Sequence, residues 1–244
     1  MTVENLVSPI SEDVTVGQVV AERPGRSRVF ENHGIDYCCG GKKTLAAVCE
    51  KKGIAFDDLK AELEAVDGAA EDLSDPNAMT LSDLIDDILQ KHHHYLRQEV
   101  PRLGNMLSKV AKVHGENAPY MQDVDRVFGN FRAELDSHMM KEECILFPAI
   151  RALEKDDKSA QFPFGSLSCP INTMEAEHEI AGDAMEAFST LTNGYSPPEW
   201  ACNTFRAALD GLAELEQNMH QHVHKENNIL FPKALKLEAQ RGQS

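Results

Sequence analysis

Two stretches of this chain carry the same metal-capable side chains in the same order. His138, Glu142 and the run Ile145-Leu146-Phe147-Pro148 recur as His222, Glu226 and Ile229-Leu230-Phe231-Pro232. In each copy a histidine is followed four residues later by a glutamate, and on an α-helix that spacing puts both side chains on one face about a turn apart. An imidazole and a carboxylate aimed at one point form part of a metal site. A further histidine precedes each copy, His93 lying 45 residues before His138 and His178 lying 44 before His222. The pattern His…His-x-x-x-Glu is therefore duplicated, as in an architecture built from repeated units.

An interval of that length fits two antiparallel helices and their loop, at about 1.5 Å of rise per residue. Two such pairs make a four-helix bundle whose interior receives His93, His138, Glu142, His178, His222 and Glu226. Four imidazoles and two carboxylates are too many ligands for one ion and suit two, with the carboxylates free to bridge. With no thiolate at the repeated positions, the donor set favours iron or manganese over a structural zinc. The alternative Glu-x-x-His pattern of other carboxylate-rich bundles is met at Glu175 and His178, but Gln90 stands where the matching glutamate before His93 is needed.

His92, His93 and His94 point about 100° apart on a helix, so one of them faces the core well. The repeat selects His93, with His94 one residue away in register. His224 lies about 200° round from His222 and is expected to point outward. His114, near the end of the first long helix, reads as a cap or an outer contact, and Cys144 is expected to rotate away from the site. Glu134, one turn before His138, and Glu177, beside His178, are candidates to orient an imidazole or relay protons.

The surrounding elements follow from composition and punctuation. Clear alternating strand patterns are hard to find in the 244 residues, and helix formers are plentiful, so the chain is expected to be all-α. Residues 67–79, acidic and broken by Gly68 and Pro76, read as a linker. Residues 1–66 read as a small helical domain with a thin core, and residues 80–244 as the bundle. The first long helix is expected to start near Thr80 or Ser82 and to kink at Pro101. The second runs from about Pro119 to Leu153, bent near Pro148. A loop follows over residues 155–168, the third helix ends near Asn193-Gly194, and the fourth starts at Ser196 or Pro197.

A formal charge of -16 argues against nucleic acid and anionic membranes as partners. No stretch approaches the roughly 18 to 20 apolar residues of a membrane span, and the first residues lack the marks of a signal peptide. The expected location is the cytoplasm, with the six cysteines mostly reduced. By itself the motif Cys38-Cys39-Gly40-Gly41 reads either as a tight turn with inert thiols or as a mobile turn whose backbone N–H groups stabilise thiolate, for electron donation, a transient disulfide or receipt of iron.

Several of these motifs together resemble a known family, the di-iron proteins for repair of iron centres, which join a small N-terminal domain to a hemerythrin-like bundle. The resemblance rests on Asp36-Tyr37-Cys38-Cys39-Gly40-Gly41, on Leu96-Arg97-Gln98-Glu99-Val100-Pro101 after His93, on the segment from Ser137 to Glu143, on Glu177-His178, and on Glu226-Asn227-Asn228. It implies two irons held by His93, His138, His178 and His222 and bridged by Glu142 and Glu226, with an oxo or hydroxo bridge besides. Each iron then keeps an open position for O2, NO or peroxide.

The function implied is repair, or resupply of iron, to iron-sulfur clusters damaged by nitrosative or oxidative stress. The alternatives are a di-iron NO or peroxide reductase and an O2 or NO sensor or carrier, so enzymatic turnover is left open. Expected partners are damaged iron-sulfur proteins, an electron donor and a second copy of the chain in a homodimer.

Overall fold

The structure, a computed structural model, describes residues 9–66, 76–156 and 164–241. Among these the only β pairing is a single bridge between Thr15 and Thr44, and the rest of the regular structure is helical. Most of the expected linker, and the middle of the expected loop at 155–168, lie outside the described residues.

The N-terminal unit contains α1 (Val16–Glu22), α2 (Ser27–Asn32), α3 (Leu45–Lys52) and α4 (Phe56–Val66). Thr15 caps α1 in a capping box, its hydroxyl taking the Gln18 N–H while the Gln18 side chain takes the Thr15 N–H. Thr44 caps α3, which stops at Gly53 in the left-handed region. Val16, Val19, Phe30, Leu45, Leu59 and Leu63 close a compact apolar cluster of its own.

The bundle is made of four long rods, three of which are interrupted by one π turn. In the first, α5 (Leu81–Ile88) passes through a π turn at Leu89–His93 into α6 (His94–His114). The second passes from α7 (Tyr120–Lys141) through Glu142–Leu146 into α8 (Phe147–Glu154). The third is α9 (Ser168–Leu191), and the fourth passes from α10 (Asn203–Lys225) through Glu226–Leu230 into α11 (Phe231–Arg241). Helix α6 packs on α7 and α10, α7 on α9, and α9 on α10.

Proline accounts for two of the π turns. Pro148 and Pro232 have no N–H to give, and their rings crowd the carbonyls four residues back, at Cys144 and Asn228. The chain shifts register just before them, so that Phe147 N–H bonds Glu142 O and Phe231 N–H bonds Glu226 O, five residues back. Pro101 lies inside α6. The fourth rod opens later than the sequence suggests, at Asn203, because Pro198 biases Pro197 toward extended backbone.

Two apolar cores sandwich the level of the π turns. One runs from Leu96 and Val100 through Phe128 and Phe188 to Leu212. The other holds Leu84, Ile88, Phe147, Ile150, Leu230 and Phe231. Between them six polar side chains are buried: His93, His138, Glu142, His178, His222 and Glu226.

Candidate metal centre

These six residues fall into two groups that share their carboxylates. His93, Glu142, His222 and Glu226 converge in one, and His138, Glu142, His178 and Glu226 in the other, with donor atoms within 4.8 Å of one another in each. Glu142 turns Oε2 to His93 Nε2 and Oε1 to His138 Nε2, both at 3.3 Å. Glu226 turns Oε1 to His222 Nε2 and Oε2 to His178 Nε2, both at 3.1 Å. Each carboxylate thus presents one oxygen to either half, as a bridging ligand does. Within the halves the Nε2 atoms face each other at 3.2 Å for His93 and His222 and at 3.0 Å for His138 and His178.

Donors packed in this way are suited to holding a metal ion. Both oxygens of Glu142 and Oε2 of Glu226 are buried without a hydrogen-bond donor among the described residues. Leaving such oxygens unpaired is costly, and a metal ion removes the cost. The imidazole and carboxylate set fits iron.

Behind the ring nitrogens stands a second layer of partners, most of which sequence reasoning missed. Glu143 Oε1 accepts from His93 Nδ1 at 2.6 Å and is held by Arg97 at 2.7 Å. Asn227 Oδ1 accepts from His178 Nδ1 at 2.8 Å. Glu143 and Asn227 occupy the same place in the two copies, directly after Glu142 and Glu226. The π turn lets consecutive residues both face inward, which an α-helix would set about 100° apart. Their matched position in the repeat, and their capacity to accept a hydrogen bond, is the signal that would have found them.

Glu177 Oε2 accepts from His138 Nδ1 at 2.9 Å and pairs with Lys141. It therefore orients an imidazole across the bundle rather than its neighbour His178. Glu134, expected to act on His138, stands exposed at the rim of an adjoining cavity instead. His92 takes the place that Glu177 has in the other half. Its ring stacks on His222 at 5.2 Å between centroids, with Asn218 and Lys225 on its own nitrogens. His94 is exposed, and His114 packs far down the bundle against Trp200 and Phe205.

The small unit sits against this centre. Cys39 Sγ donates to the carbonyl oxygen of His178 at 3.1 Å and lies 3.8 Å from Cys38 Sγ. Asn228 Nδ2 reaches the carbonyls of Tyr37 and Cys38 at 3.4 Å. Lys42 pairs with Glu175 at 3.0 Å. His224 does not point to solvent as expected. It is buried under Tyr37, ring to ring at 5.4 Å, because the small unit covers that side of α10.

The Cys38-Cys39 turn also differs from expectation. Its N–H groups are taken by Asp36, whose carboxylate accepts from Cys38 N at 3.0 Å and Gly40 N at 2.7 Å. The hydrogen bond to Cys39, then burial and the Asp36 carboxylate, push the Cys38 thiol well above its ordinary value. Cys38 is thus a protonated thiol in a built turn. All six cysteines are free.

Comparison with known proteins agrees with this geometry. The model of the hemerythrin HHE cation binding domain matches residues 84–234, and that of ScdA_N, a domain of unknown function (DUF542), matches residues 12–67. A protein of Pectobacterium atrosepticum named iron-sulfur cluster repair protein YtfE is 37% identical over 226 residues, 93% of this chain and 98% of its own length. A protein of Yersinia pseudotuberculosis with the same name is 37% identical over 225 residues, 92% of this chain and 97% of its own. The chain belongs to the YtfE family. Within this YtfE-family chain no helix of the described residues is long and apolar enough to cross a membrane.

Proposed function

We propose that the chain holds two iron ions, joined by an oxo or hydroxo bridge, and supplies iron to iron-sulfur clusters damaged by nitric oxide or oxidants. The arrangement of Glu142 and Glu226, each with one oxygen toward either half, carries the reading of two ions. The relatives named as cluster repair proteins supply the recipient. Imidazole and carboxylate ligands without thiolate bind iron firmly enough to carry it and loosely enough to release it. When bound, the ions supply redox and Lewis-acid chemistry toward NO, O2 or peroxide.

The residues of the chain prepare that role. Glu143, Glu177 and Asn227 fix the rings of His93, His138 and His178 with Nε2 forward. Burial works against protonating His138, yet Glu142, Glu226 and Glu177 overcome it and raise the imidazole to about 9. His93 is raised too, against burial, by Glu142, Glu226 and Glu143. Protons can therefore replace departing iron, keep the buried carboxylates compensated and leave the fold ready for reloading.

In this reading residues 1–66 carry the thiols, residues 67–79 join the parts, and residues 80–244 carry the iron. Cys38 and Cys39 receive iron from the bundle or donate electrons to it. The partners are a damaged iron-sulfur protein, an electron donor and a second copy of the chain, in the cytoplasm. An NO or peroxide reductase is the second reading, favoured by the cavity that reaches His138 and His178.

The test is to incubate reduced, iron-loaded protein with an iron-depleted cluster protein and follow iron on both. Iron should move to the acceptor, more slowly from a Cys38→Ser/Cys39→Ser variant. Iron that stays in place while NO is consumed with added electrons supports the reductase. A loaded protein with one metal ion per chain would rule out the paired centre.

A further inference from the structure

One of the four imidazoles is held differently from the rest. Glu143, Glu177 and Asn227 accept from Nδ1 of His93, His138 and His178, but Nδ1 of His222 is buried with no hydrogen-bond partner among the described residues. The ring of His92 lies on His222 instead, 5.2 Å away between centroids and within 8° of parallel. His92 reaches that place through the π turn at Leu89–His93, the one of the three without a proline at its end, where two consecutive histidines are both buried.

Hydrogen bonds fix the state of that ring. Lys225 Nζ, an ammonium paired with Asp87 at 2.6 Å, can only donate and lies 3.0 Å from His92 Nε2. Asn218 Oδ1 can only accept and lies 3.2 Å from Nδ1, so His92 is the neutral tautomer with its proton on Nδ1. Lys225 and Asp87 are 14% and 10% exposed, and Asp87 also pairs with Lys91 at 2.6 Å.

The matching place in the other half carries a different charge. Lys141 precedes Glu142 as Lys225 precedes Glu226, and Glu177 precedes His178 as His92 precedes His93. There the Glu177 carboxylate pairs with Lys141 and also accepts from His138 Nδ1, so a neutral ion pair presents its anion to the ring. His222 faces a neutral imidazole backed by two ammoniums and one carboxylate, an excess of one positive charge. A carboxylate on Nδ1 strengthens an imidazole as a ligand and favours the more highly charged ion. A cation mostly shielded from water favours the less charged one.

We infer that His92 and Lys225 are positioning residues of the centre: stacked on His222 and backed by a cation, they keep the position between His93 and His222 ferrous at potentials where the position between His138 and His178 is already ferric. The inference rests on the two-iron reading. Oxidation takes one electron from each position in turn, and no bond to His92 or Lys225 forms or breaks.

A redox titration of the reduced, loaded protein tests it, with ferricyanide as the one-electron oxidant and the EPR signal of the half-oxidised centre and the ferric absorption as readouts. The parent should oxidise in two one-electron steps. Lys225→Met removes the cation and leaves Asp87 with Lys91, and should lower the upper step by about tenfold in its equilibrium, or about 59 mV, with the lower step moving less. His92→Glu, which puts a carboxylate where the other half has Glu177, should lower the upper step as well, and Lys225→Arg should match the parent. Asp87→Asn removes the anion of the same pair and should raise the upper step, an opposite sign that a loosened fold does not produce. A single step in a parent that holds two irons, or an upper step that Lys225→Met and Asp87→Asn leave in place or move in one direction, would overturn the inference. One iron per parent chain would instead overturn the two-iron reading beneath it.

Discussion

Met140, Cys144 and Ile145 in the first copy of the repeat face solvent, while their counterparts His224, Asn228 and Ile229 in the second are wholly or largely covered. Inward, the copies carry the same donor types, with His138 and Glu142 set against His222 and Glu226. The inward residues converge in two groups that each draw on both copies, so the same donor types are required of each. The outward residues answer to whatever lies on them, and the small helical unit lies on one copy only. The duplicated fold is thus close to two-fold symmetric at the centre and unsymmetric at the surface.

The largest effect tests the symmetric part. On the proposed two-iron reading Glu142→Leu and Glu226→Leu each remove a bridging carboxylate, and both should abolish the bridged ferric absorption and lower bound iron below two per chain. Leucine is a good helix former and removes a buried charge, so helical circular dichroism and metal-free thermal stability should hold or rise. If one variant keeps the bridged spectrum and the other loses it, the two carboxylates are not equivalent and the comparison breaks at its centre.

A smaller effect tests the unsymmetric part. Asn228 is packed between Gly17 and Gly41, and a Cβ at Gly41 would come within 2.6 Å of its Oδ1. Glycine is needed there because any side chain blocks that approach. Asn228→Leu removes the side-chain donor to the carbonyls of Tyr37 and Cys38, of which the second keeps the Gly41 N–H, and should weaken docking of the small unit by about 1–3 kcal/mol. Cys144→Leu, the same position in the bare copy, should stay within about 0.5 kcal/mol of the parent. Hydrogen exchange of residues 9–66 reads the difference, and equal protection in both variants would show that Asn228 does not hold the two parts together.

That the six inward residues converge was legible because helical period and internal repetition both point at them. His93 could be picked from three adjacent histidines because its spacing to His138 best matches that of His178 to His222, with His94 one residue away in register. Glu143 and Asn227 were not legible on an ideal helix, since they reach the rings of His93 and His178 only through the π turns. Glu134 was favoured by a one-turn spacing on the same helix as His138, but the carboxylate that reaches His138 comes from Glu177 on another. His224 and the Cys38-Cys39 turn were misjudged for a shared reason. What covers α10, and what Asp36 does with the N–H groups of its own turn, are tertiary facts that no period encodes.

The last effect concerns pH. Burial, together with the nearby Lys225 charge, pulls the His224 imidazole down to about 4, against about 6.5 for free histidine. His224 is therefore neutral beneath Tyr37, and lifting the small unit lets it take up a proton. Its contribution to docking is complete above about pH 6.5 and is lost as pH falls toward 4, amounting to about 2 kcal/mol between pH 7 and pH 5. Met140, its counterpart, has nothing to titrate. His92 is pulled further down, to about 2, but lies within the bundle, where docking leaves its surroundings unchanged. Exchange protection of residues 9–66 should accordingly fall with acid in the parent and fall less in His224→Gln, the difference between them isolating one imidazole from the carboxylates that titrate nearby. Identical pH profiles for the two proteins would mean that His224 stays covered, or stays neutral, whether or not the small unit is in place.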